Sequence, residues 1–259
     1  MNNRDARKGD EPMTSYKMIA LDMDGTLLNE RSEISEANLL AIRECLERGL
    51  VVCVATGRGI ATAAPYIGMI GNHLPFVTAN GSEVWRNRNE LHSRIEMDAA
   101  LIVELRSWAL KHDIWYWGTA ADKVYNKNQW CEDPYKVSWL KFGFHCEDER
   151  LLARLRRKGE EMGIFEITNS HPANLEFNPR GVNKASGLRQ VCGLHGIAME
   201  EVIAIGDSLN DLAMIREAGL GVAMGNAQDE VKRQADMVTL SHVEDGVAHI
   251  LREIVLNQA

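Results

Sequence analysis

The stretch that decides the fold is Met18-Ile19-Ala20-Leu21-Asp22-Met23-Asp24-Gly25-Thr26-Leu27-Leu28. Its first four residues are apolar and predict a buried parallel strand. Asp22 and Asp24 follow two positions apart, so in an extended chain their side chains leave on one side, at the carboxyl end of that strand. Open α/β sheets bind ligands at this end. Two carboxylates so close together repel each other unless a cation or a shared proton lies between them. The stretch therefore predicts a magnesium site with a nucleophilic aspartate.

Two other interpretations of this stretch have to be weighed. Asp and Gly favour turns, so Asp-x-Asp-Gly is also typical of a solvated turn. Asp22, Asp24, Thr26 and Glu33 also match the first, third, fifth and twelfth positions of a calcium-binding loop. Such a loop has glycine at its sixth position and a helix before it, whereas Leu27 stands there and an apolar strand precedes. The calcium interpretation is therefore disfavoured.

Length and composition limit the class of protein. The chain has 259 residues, of which 45% are hydrophobic and 25% charged, as expected for a soluble globular protein with one large domain or two modest ones. The net charge of −8 gives no support to a nucleic-acid surface. No apolar run approaches the ~18 residues of a membrane span. Residues 1–15 are polar and predict a flexible tail without a secretory signal. Five scattered cysteines favour reduced thiols in the cytoplasm.

Four further apolar segments end in polar residues or glycine, as the first one does. They are Leu50–Ala55 before Thr56-Gly57-Arg58, Phe76–Ala79 before Asn80-Gly81, Val202–Ile205 before Gly206-Asp207, and Gly221–Met224 before Gly225-Asn226. Helices are predicted between most of them, including one that Ser35 caps and Gly49 ends. Strands that alternate with helices predict an α/β fold with a doubly wound parallel sheet.

One connection is far too long for a crossover between parallel strands. The 103 residues between Asn80 and Lys184 contain predicted elements of their own. These are helices near Asp98–Lys111 and Glu147–Met162 and strands at Ile114–Trp117, Asp122–Tyr125, Gly163–Thr168 and Asn174–Phe177. The connection is therefore predicted to be an inserted α/β domain.

All six tryptophans lie in or beside this insertion, at positions 85, 108, 115, 117, 130 and 139. Large rings fill the core of a small domain, but they also form aromatic walls of binding sites. Trp115 and Trp117 share one strand face while Tyr116 takes the other, which fits both functions. The core interpretation is preferred.

A second acidic motif is Gly206-Asp207-Ser208-Leu209-Asn210-Asp211, at a predicted strand-to-helix turn. An Asp at a helix N-cap and an acid in the first turn are ordinary, so the motif alone is ambiguous. Together with Asp22 and Asp24 at another strand end, these carboxylates would supply the oxygen ligands of a hard cation.

Lys184 follows Asn183, which is predicted to cap a helix. A lysine in the first turn opposes the helix dipole, although a solvated surface lysine is the simpler explanation. A residue that breaks a local rule is a candidate for function, and an ammonium at this position would strengthen an anion site.

In this order, the motifs resemble those of haloacid dehalogenase (HAD) superfamily phosphatases of the Cof-like branch. The four matching motifs are Asp22-Met23-Asp24-Gly25-Thr26, Thr56-Gly57-Arg58, Lys184 and Gly206–Asp211. The resemblance extends from about residue 16 onward. It implies a Rossmann-like catalytic core of residues 16–82 and 181–259, with an inserted α/β cap of residues 83–180 that selects the substrate.

The resemblance also implies roles for individual residues. The catalytic residues would be Asp22 as the nucleophile, Asp24 as the general acid and base, Thr56 and Lys184. Phosphate would be bound by Thr56, Lys184 and Asn210. Magnesium would be bound by Asp22, Asp24 and Asp207. Thr26 would orient Asp24, and Asp211 would hold Lys184 or the waters of the metal.

The expected function is that of a Mg²⁺-dependent phosphatase. Its partner would be a small phosphorylated metabolite such as a sugar phosphate, with no nucleic acid or membrane involved. The protein would be a monomer or homodimer in the cytoplasm. Two alternatives use similar residues: a phosphotransferase or phosphomutase that passes on the same aspartyl phosphate, and a receiver-like regulatory module. A receiver domain is usually far shorter than this chain, and it accepts its phosphate on a later strand than the one that carries its metal-binding acids, whereas Asp22 follows the first strand.

Overall fold

The computed structural model describes residues 16–257. The tail predicted for residues 1–15 lies outside the described residues. The strands are Met18–Leu21 (β1), Val51–Ala55 (β2), Phe76–Thr78 (β3), Glu83–Asn87 (β4), Glu90–Arg94 (β5), Trp115–Ala120 (β6), Val124–Asn126 (β7), Trp139–His145 (β8), Phe165–Thr168 (β9), Asn174–Pro179 (β10), Val202–Gly206 (β11), Leu220–Ala223 (β12) and Met237–Val238 (β13).

The helices begin within a few residues of the predicted positions wherever the sequence analysis placed one. They are Glu36–Glu47 (α1), Ile60–Ile70 (α2), Ala99–His112 (α3), Glu149–Met162 (α4), Lys184–His195 (α5), Leu212–Glu217 (α6), Asp229–Gln234 (α7) and Gly246–Leu251 (α8). Ser35 caps α1 as predicted, since its hydroxyl accepts from the backbone N–H of Asn38. Asn183 caps α5 in a capping box with Ser186.

The larger sheet has eight strands in the order β13-β12-β11-β1-β2-β3-β4-β5. The strands from β13 to β3 are parallel, and β4 and β5 are antiparallel to their neighbours. The chain moves outward from β1 through β2 and β3, and later outward on the other side from β11. Strand order therefore reverses between β1 and β11, and ligands bind outside the carboxyl ends of the strands at such a switch point.

Helices cover both faces of this sheet. Ile19 and Leu21 of β1 pack on one face with apolar residues of α1, α2, α7 and α8. Met18 and Ala20 pack on the other face with α5 and α6. The strand is buried on both faces, and this accounts for its continuous apolar sequence. The predicted α/β, doubly wound fold is confirmed.

The smaller sheet has five antiparallel strands in the order β7-β6-β8-β10-β9. Its apolar face packs against α3 and α4 through Phe142, Phe144 and Phe177. Residues of the opposite face, including Trp117 and Lys141, line a cavity together with Asp22 of the larger sheet. The central strand β8 was not predicted from the sequence.

The hairpin β4–β5 belongs to the larger sheet, although it lies within the predicted cap range of 83–180. Phe76 of β3 pairs with Trp85 of β4, and β5 continues the sheet. The division of the chain into a core and a cap stays a prediction. The pairing of β4 and β5 favours placing the first boundary after Arg94.

Candidate active site

Asp22 follows β1 directly and lies at the switch point of the larger sheet. Its backbone N–H donates to the carbonyl of Ile205 at 3.0 Å, which holds the residue beside β11. Its side chain is buried and accepts a hydrogen bond from Lys184 Nζ. Burial raises the pKa of Asp22 well above its usual value and Asp211 raises it further, while Lys184 opposes them.

Lys184 is the first residue of α5, and its side chain has 0% exposure. Its Nζ also donates to Asp211 Oδ1 at 2.7 Å, so one ammonium joins two carboxylates. Burial alone would lower the pKa of Lys184, but Asp211 and Asp22 raise it above its usual value. The ammonium therefore stays charged in the protein interior.

Asp211 has hydrogen-bond partners on both of its carboxylate oxygens. Oδ2 accepts from the backbone N–H groups of Asp207 and Ser208, each at 3.0 Å, and Oδ1 accepts from Lys184. The side chain thus closes the turn after β11 and positions the ammonium. These contacts fit the supporting role predicted for Asp211.

Asp207 faces Asp22 across the switch point. Oxygen atoms of Asp22, Asp207 and Asp211 all lie within 4.8 Å of one another. Burial and the neighbouring Asp211 raise the pKa of Asp207 to about 7. Gly25, at φ +77°, allows the approach, because a Cβ there would lie 2.6 Å from Asp207 Oδ2.

The resemblance implies that Thr26 orients Asp24, but in the structure each side chain has a different hydrogen-bond partner. The hydroxyl of Thr26 donates to Asp207 Oδ1 at 3.3 Å and forms no hydrogen bond with the Asp24 side chain. The Asp24 carboxylate, 52% exposed, forms a two-pronged ion pair with Arg58 at 2.8 Å and 2.5 Å. Arg58 also lies over the ring of Tyr66, at 5.0 Å from its centroid.

Thr56 follows β2 and Asn210 lies in the turn after β11, so both lie at the carboxyl ends of the strands, as Asp22 does. Thr56 is buried after β2, and its hydroxyl accepts from the backbone N–H of Arg58 at 3.1 Å. Asn210 Nδ2 donates to Asn80 Oδ1 at 3.2 Å. Asn210 Oδ1 is buried and has no hydrogen-bond partner among residues 16–257.

A second buried lysine enters from the smaller sheet. Lys141 Nζ donates to Glu176 Oε2 at 2.5 Å, and both side chains are buried. Glu176 also accepts from Asn80 Nδ2 at 2.9 Å and from Ser170. Burial would raise the pKa of Glu176, but Lys141 and these donors lower it below its usual value. Asn80 thus connects this pair to Asn210.

One cavity of about 320 Å³ collects most of these groups. Its lining includes Asp22, Asp24, Asp207 and Asn210 from the larger sheet, and Trp117, Lys141 and Glu176 from the smaller one. Of the remaining predicted site residues, Lys184 contacts the carboxylates of Asp22 and Asp211, Thr26 contacts that of Asp207, and Thr56 contacts the Arg58 backbone. Sequence reasoning assigned no role to Lys141 or Glu176 and left Arg58 without one.

The fold and this cavity define an α/β enzyme with a carboxylate–lysine site at the switch point of a doubly wound sheet. The sequence model of the haloacid dehalogenase-like hydrolases matches residues 19–148 and 128–251. The chain belongs to this family.

Two similar proteins of Bacillus subtilis are named as phosphatases. The chain is 44% identical over 244 residues to the 5-amino-6-(5-phospho-D-ribitylamino)uracil phosphatase YcsE of Bacillus subtilis, with 93% of this chain and 96% of that one covered. It is 27% identical over 285 residues to phosphatase YwpJ of the same organism, covering 92% and 100%. The chain is accordingly a phosphatase of the haloacid dehalogenase type.

Solved structures have the same fold. A haloacid dehalogenase-like hydrolase from Bacteroides thetaiotaomicron superimposes with a TM-score of 0.78 at 30% identity, covering 93% of this chain and 100% of that one. One from B. subtilis reaches a TM-score of 0.85 at 24% identity, covering 92% and 100%. Among the described residues, no helix has the length and apolar character needed to cross a membrane.

Proposed function

We propose that this phosphatase hydrolyses a small phosphorylated metabolite in a Mg²⁺-dependent reaction through an aspartyl phosphate on Asp22. The observation that carries the proposal is the convergence of Asp22, Asp207 and the buried Lys184 beneath one cavity. Negative charge exceeds positive charge there, because one ammonium faces three carboxylates. A divalent cation would correct this imbalance and lower the raised pKa of Asp22.

The residues present fit magnesium. Carboxylate and carbonyl oxygens are the ligands that Mg²⁺ prefers, and Gly25 leaves open the space that a Cβ would fill beside Asp207. Asp22, Asp207 and the backbone carbonyl of Asp24 would hold the ion. Bound Mg²⁺ would reduce the repulsion between the Asp22 carboxylate and a phosphate dianion.

In the first step, an Asp22 oxygen forms a bond to phosphorus while the bond between phosphorus and the ester oxygen breaks. Asp24 gives its proton to the departing oxygen. In the second step, Asp24 takes a proton from water, whose oxygen bonds to phosphorus and releases phosphate from Asp22. Because both carboxylate oxygens of Asp24 accept hydrogen bonds from Arg58, we expect this pair to open before the first proton transfer.

Lys184, Thr56 and Asn210 would hold the phosphoryl oxygens. Lys184 supplies a fixed positive charge whose direction Asp211 sets. The hydroxyl of Thr56 and the amide of Asn210 supply neutral hydrogen-bonding groups from neighbouring strand ends. Since charge spreads over the phosphoryl oxygens in the transition state, such fixed groups provide most of the stabilisation.

The residues after Arg94 up to about residue 180 would form the cap that selects the leaving group. In this structure the cap is in contact with the core, because Ser208 Oγ donates to the Ser170 carbonyl at 3.2 Å and Asn210 N donates to the Asn169 carbonyl at 3.1 Å. The first substrate to test is 5-amino-6-(5-phospho-D-ribitylamino)uracil, because the relative that shares 44% identity is named for it. Action in the cytoplasm as a monomer or homodimer completes the proposal.

The test is hydrolysis of this ester and of an aryl phosphate, with Mg²⁺ and with a chelator, by the wild type and Asp22→Asn. We expect turnover that requires Mg²⁺ and vanishes in the variant. Asp24→Asn should accumulate one phosphoryl group per chain after acid quenching, read by intact-protein mass spectrometry, because it cannot activate water for the second step. Turnover by Asp22→Asn at the wild-type rate would refute the covalent mechanism.

The phosphotransferase alternative shares all these residues, so the products must decide it. A wild type that passes the phosphoryl group to an added sugar in preference to water would be a transferase. Release of inorganic phosphate at the rate of ester consumption supports the phosphatase.

A further inference from the structure

Trp117 differs from the tryptophans that fill the core of the smaller sheet. Trp130 and Trp139 stack on each other with centroids 5.2 Å apart, and Trp108 packs edge-on to Phe177 at 6.2 Å. Among residues 16–257, neither Trp117 nor Trp115 has an aromatic partner of this kind. Trp117 is half-buried and lines the cavity that contains Asp22 and Asp24. The preferred core interpretation of the tryptophans therefore does not hold for this one.

A glycine on the neighbouring strand lets the indole lie against the sheet. Trp117 of β6 pairs with Gly143 of β8, and Gly143 pairs with Glu176 of β10, so the three residues form one row across the sheet. A Cβ at position 143 would lie 2.3 to 2.7 Å from three atoms of the indole ring. The ring therefore occupies the space above the glycine, and glycine is the residue that permits so close an approach.

The surroundings of the ring are polar and hydrogen-bonding. Glu176 lies in the same row as Trp117 and Gly143, and Lys141, Thr119 and Asn174 line the same cavity. A flat, apolar surface beside amide, hydroxyl and charged groups suits a planar ring with polar edges, because the face stacks and the edges form hydrogen bonds. An acyclic polyol chain has no flat face to stack on the indole and would gain less from it.

We propose that Trp117, seated on Gly143, is a specificity-determining residue that stacks on a planar heteroaromatic ring in the leaving group of the phosphate ester. This inference rests on the proposed phosphatase function and specifies the class of ester. The uracil ring in the named substrate of the 44% identical relative belongs to this class.

The experiment compares two esters with the same phosphorylated chain, 5-amino-6-(5-phospho-D-ribitylamino)uracil with the ring and D-ribitol 5-phosphate without it. For Trp117→Ala we expect KM for the ring-bearing ester to rise about 5- to 100-fold, the range that base–aromatic stacking predicts. The KM for the polyol ester should rise far less than the KM for the ring-bearing ester. Trp117→Phe should retain most of the affinity, because it keeps a flat ring.

Trp115→Ala is the matched control, since Trp115 lies on the same strand but is exposed and does not line the cavity. It should behave as the wild type. Gly143→Ala keeps the indole but adds the Cβ beneath it, and we expect it to raise KM for the ring-bearing ester only. An equal loss on both esters in Trp117→Ala and Gly143→Ala would overturn the proposal.

Binding in the Asp22→Asn background separates this inference from the proposed function. Titration of that variant with the ring-bearing ester, followed by calorimetry, needs no turnover. Weaker binding on adding Trp117→Ala would support the stacking role even if the wild type hydrolysed neither ester. Unchanged binding on adding Trp117→Ala would refute it even if the wild type proved to be an active phosphatase.

Discussion

The protein has one buried lysine beside the larger sheet and one within the smaller sheet, and the two lysines have different surroundings. Lys184 is the first residue of a helix and contacts two carboxylates, with a third nearby. Lys141 lies in the middle of β8 and contacts a single carboxylate, that of Glu176. The first group has excess negative charge, whereas the second is neutral as a pair.

This difference in charge distinguishes the two lysines. The group around Lys184 is suited to a reaction, whereas the Lys141–Glu176 pair is suited to positioning the smaller sheet. A buried cluster with unbalanced charge is unfavourable unless a cation or a proton enters it, and the raised pKa values of Asp22 and Asp207 express this cost. The Lys141–Glu176 pair needs nothing further, because Ser170 and Asn80 satisfy the remaining acceptor sites. Through Asn80 it can hold the smaller sheet against the strand ends of the larger sheet without taking part in the chemistry.

The largest effect is expected for Lys184→Met. Loss of the ammonium removes a charge that would stabilise the transferring phosphoryl group, and kcat should fall by about 10²–10³-fold. Asp22 and Asp211 are left buried without their partner, so unfolding free energy should fall by about 3–5 kcal/mol. Steady-state kinetics and chemical denaturation measure the two effects. A stable, fully active variant would contradict both assignments.

Lys141→Met should affect stability more than chemistry. Glu176 would be left buried and unpaired, which costs about 3–5 kcal/mol, whereas the double variant Lys141→Met/Glu176→Leu should recover much of that loss. We expect kcat to change by less than in Lys184→Met, because no phosphoryl contact is removed. If kcat of the double variant fell as far as that of Lys184→Met, Lys141 would belong to the reaction itself.

Magnesium should stabilise the folded protein through the carboxylates around Lys184 and not through the Lys141–Glu176 pair. At a concentration 100 times its Kd, a ligand of the folded state adds about 2.7 kcal/mol to the unfolding free energy. We expect an increase of this order for the wild type and for Glu176→Gln, and its loss in Asp207→Asn. Thermal melts with Mg²⁺ and with chelator test this. An equal increase in Asp207→Asn would place the ion elsewhere.

Much of the candidate active site could be predicted because its residues lie at strand ends. A carboxylate or hydroxyl directly after an apolar run is visible in the sequence, and parallel strands bring their carboxyl ends to one edge. Asp22, Thr56 and Asp207 are of this kind, and the structure places them there. The assignment of Lys184 to this site needed the resemblance, since a first-turn lysine alone has several explanations.

The residues of the smaller sheet could not be predicted in the same way. Lys141 and Gly143 lie within β8, Trp139-Leu140-Lys141-Phe142-Gly143-Phe144-His145, which was not predicted as a strand although all of its residues except His145 are buried. A lysine and a glycine that alternate with large apolar residues do mark a polar face. Their partners, Glu176 and Trp117, depend on antiparallel register, which distant strands fix only after folding.

The smallest predicted effect is the pH dependence of the Lys141–Glu176 pair. Lys141 and the hydrogen-bond donors hold the pKa of Glu176 below its usual value despite burial, so the folded state favours the ionised carboxyl. This contribution to stability is present above the unfolded pKa of about 4.3 and is lost as pH falls through the lower folded pKa. Glu176→Gln lacks it at every pH. The melting temperature of the wild type should therefore exceed that of Glu176→Gln by more at pH 7 than at pH 4, with a change on the order of 2–4 °C.

The exposed pair Lys127–Asp113 offers a control, because Asp113→Asn should alter the melting temperature far less. A difference between wild type and Glu176→Gln that stayed constant from pH 7 to pH 4 would show that the ionised form of Glu176 is not what the smaller sheet requires.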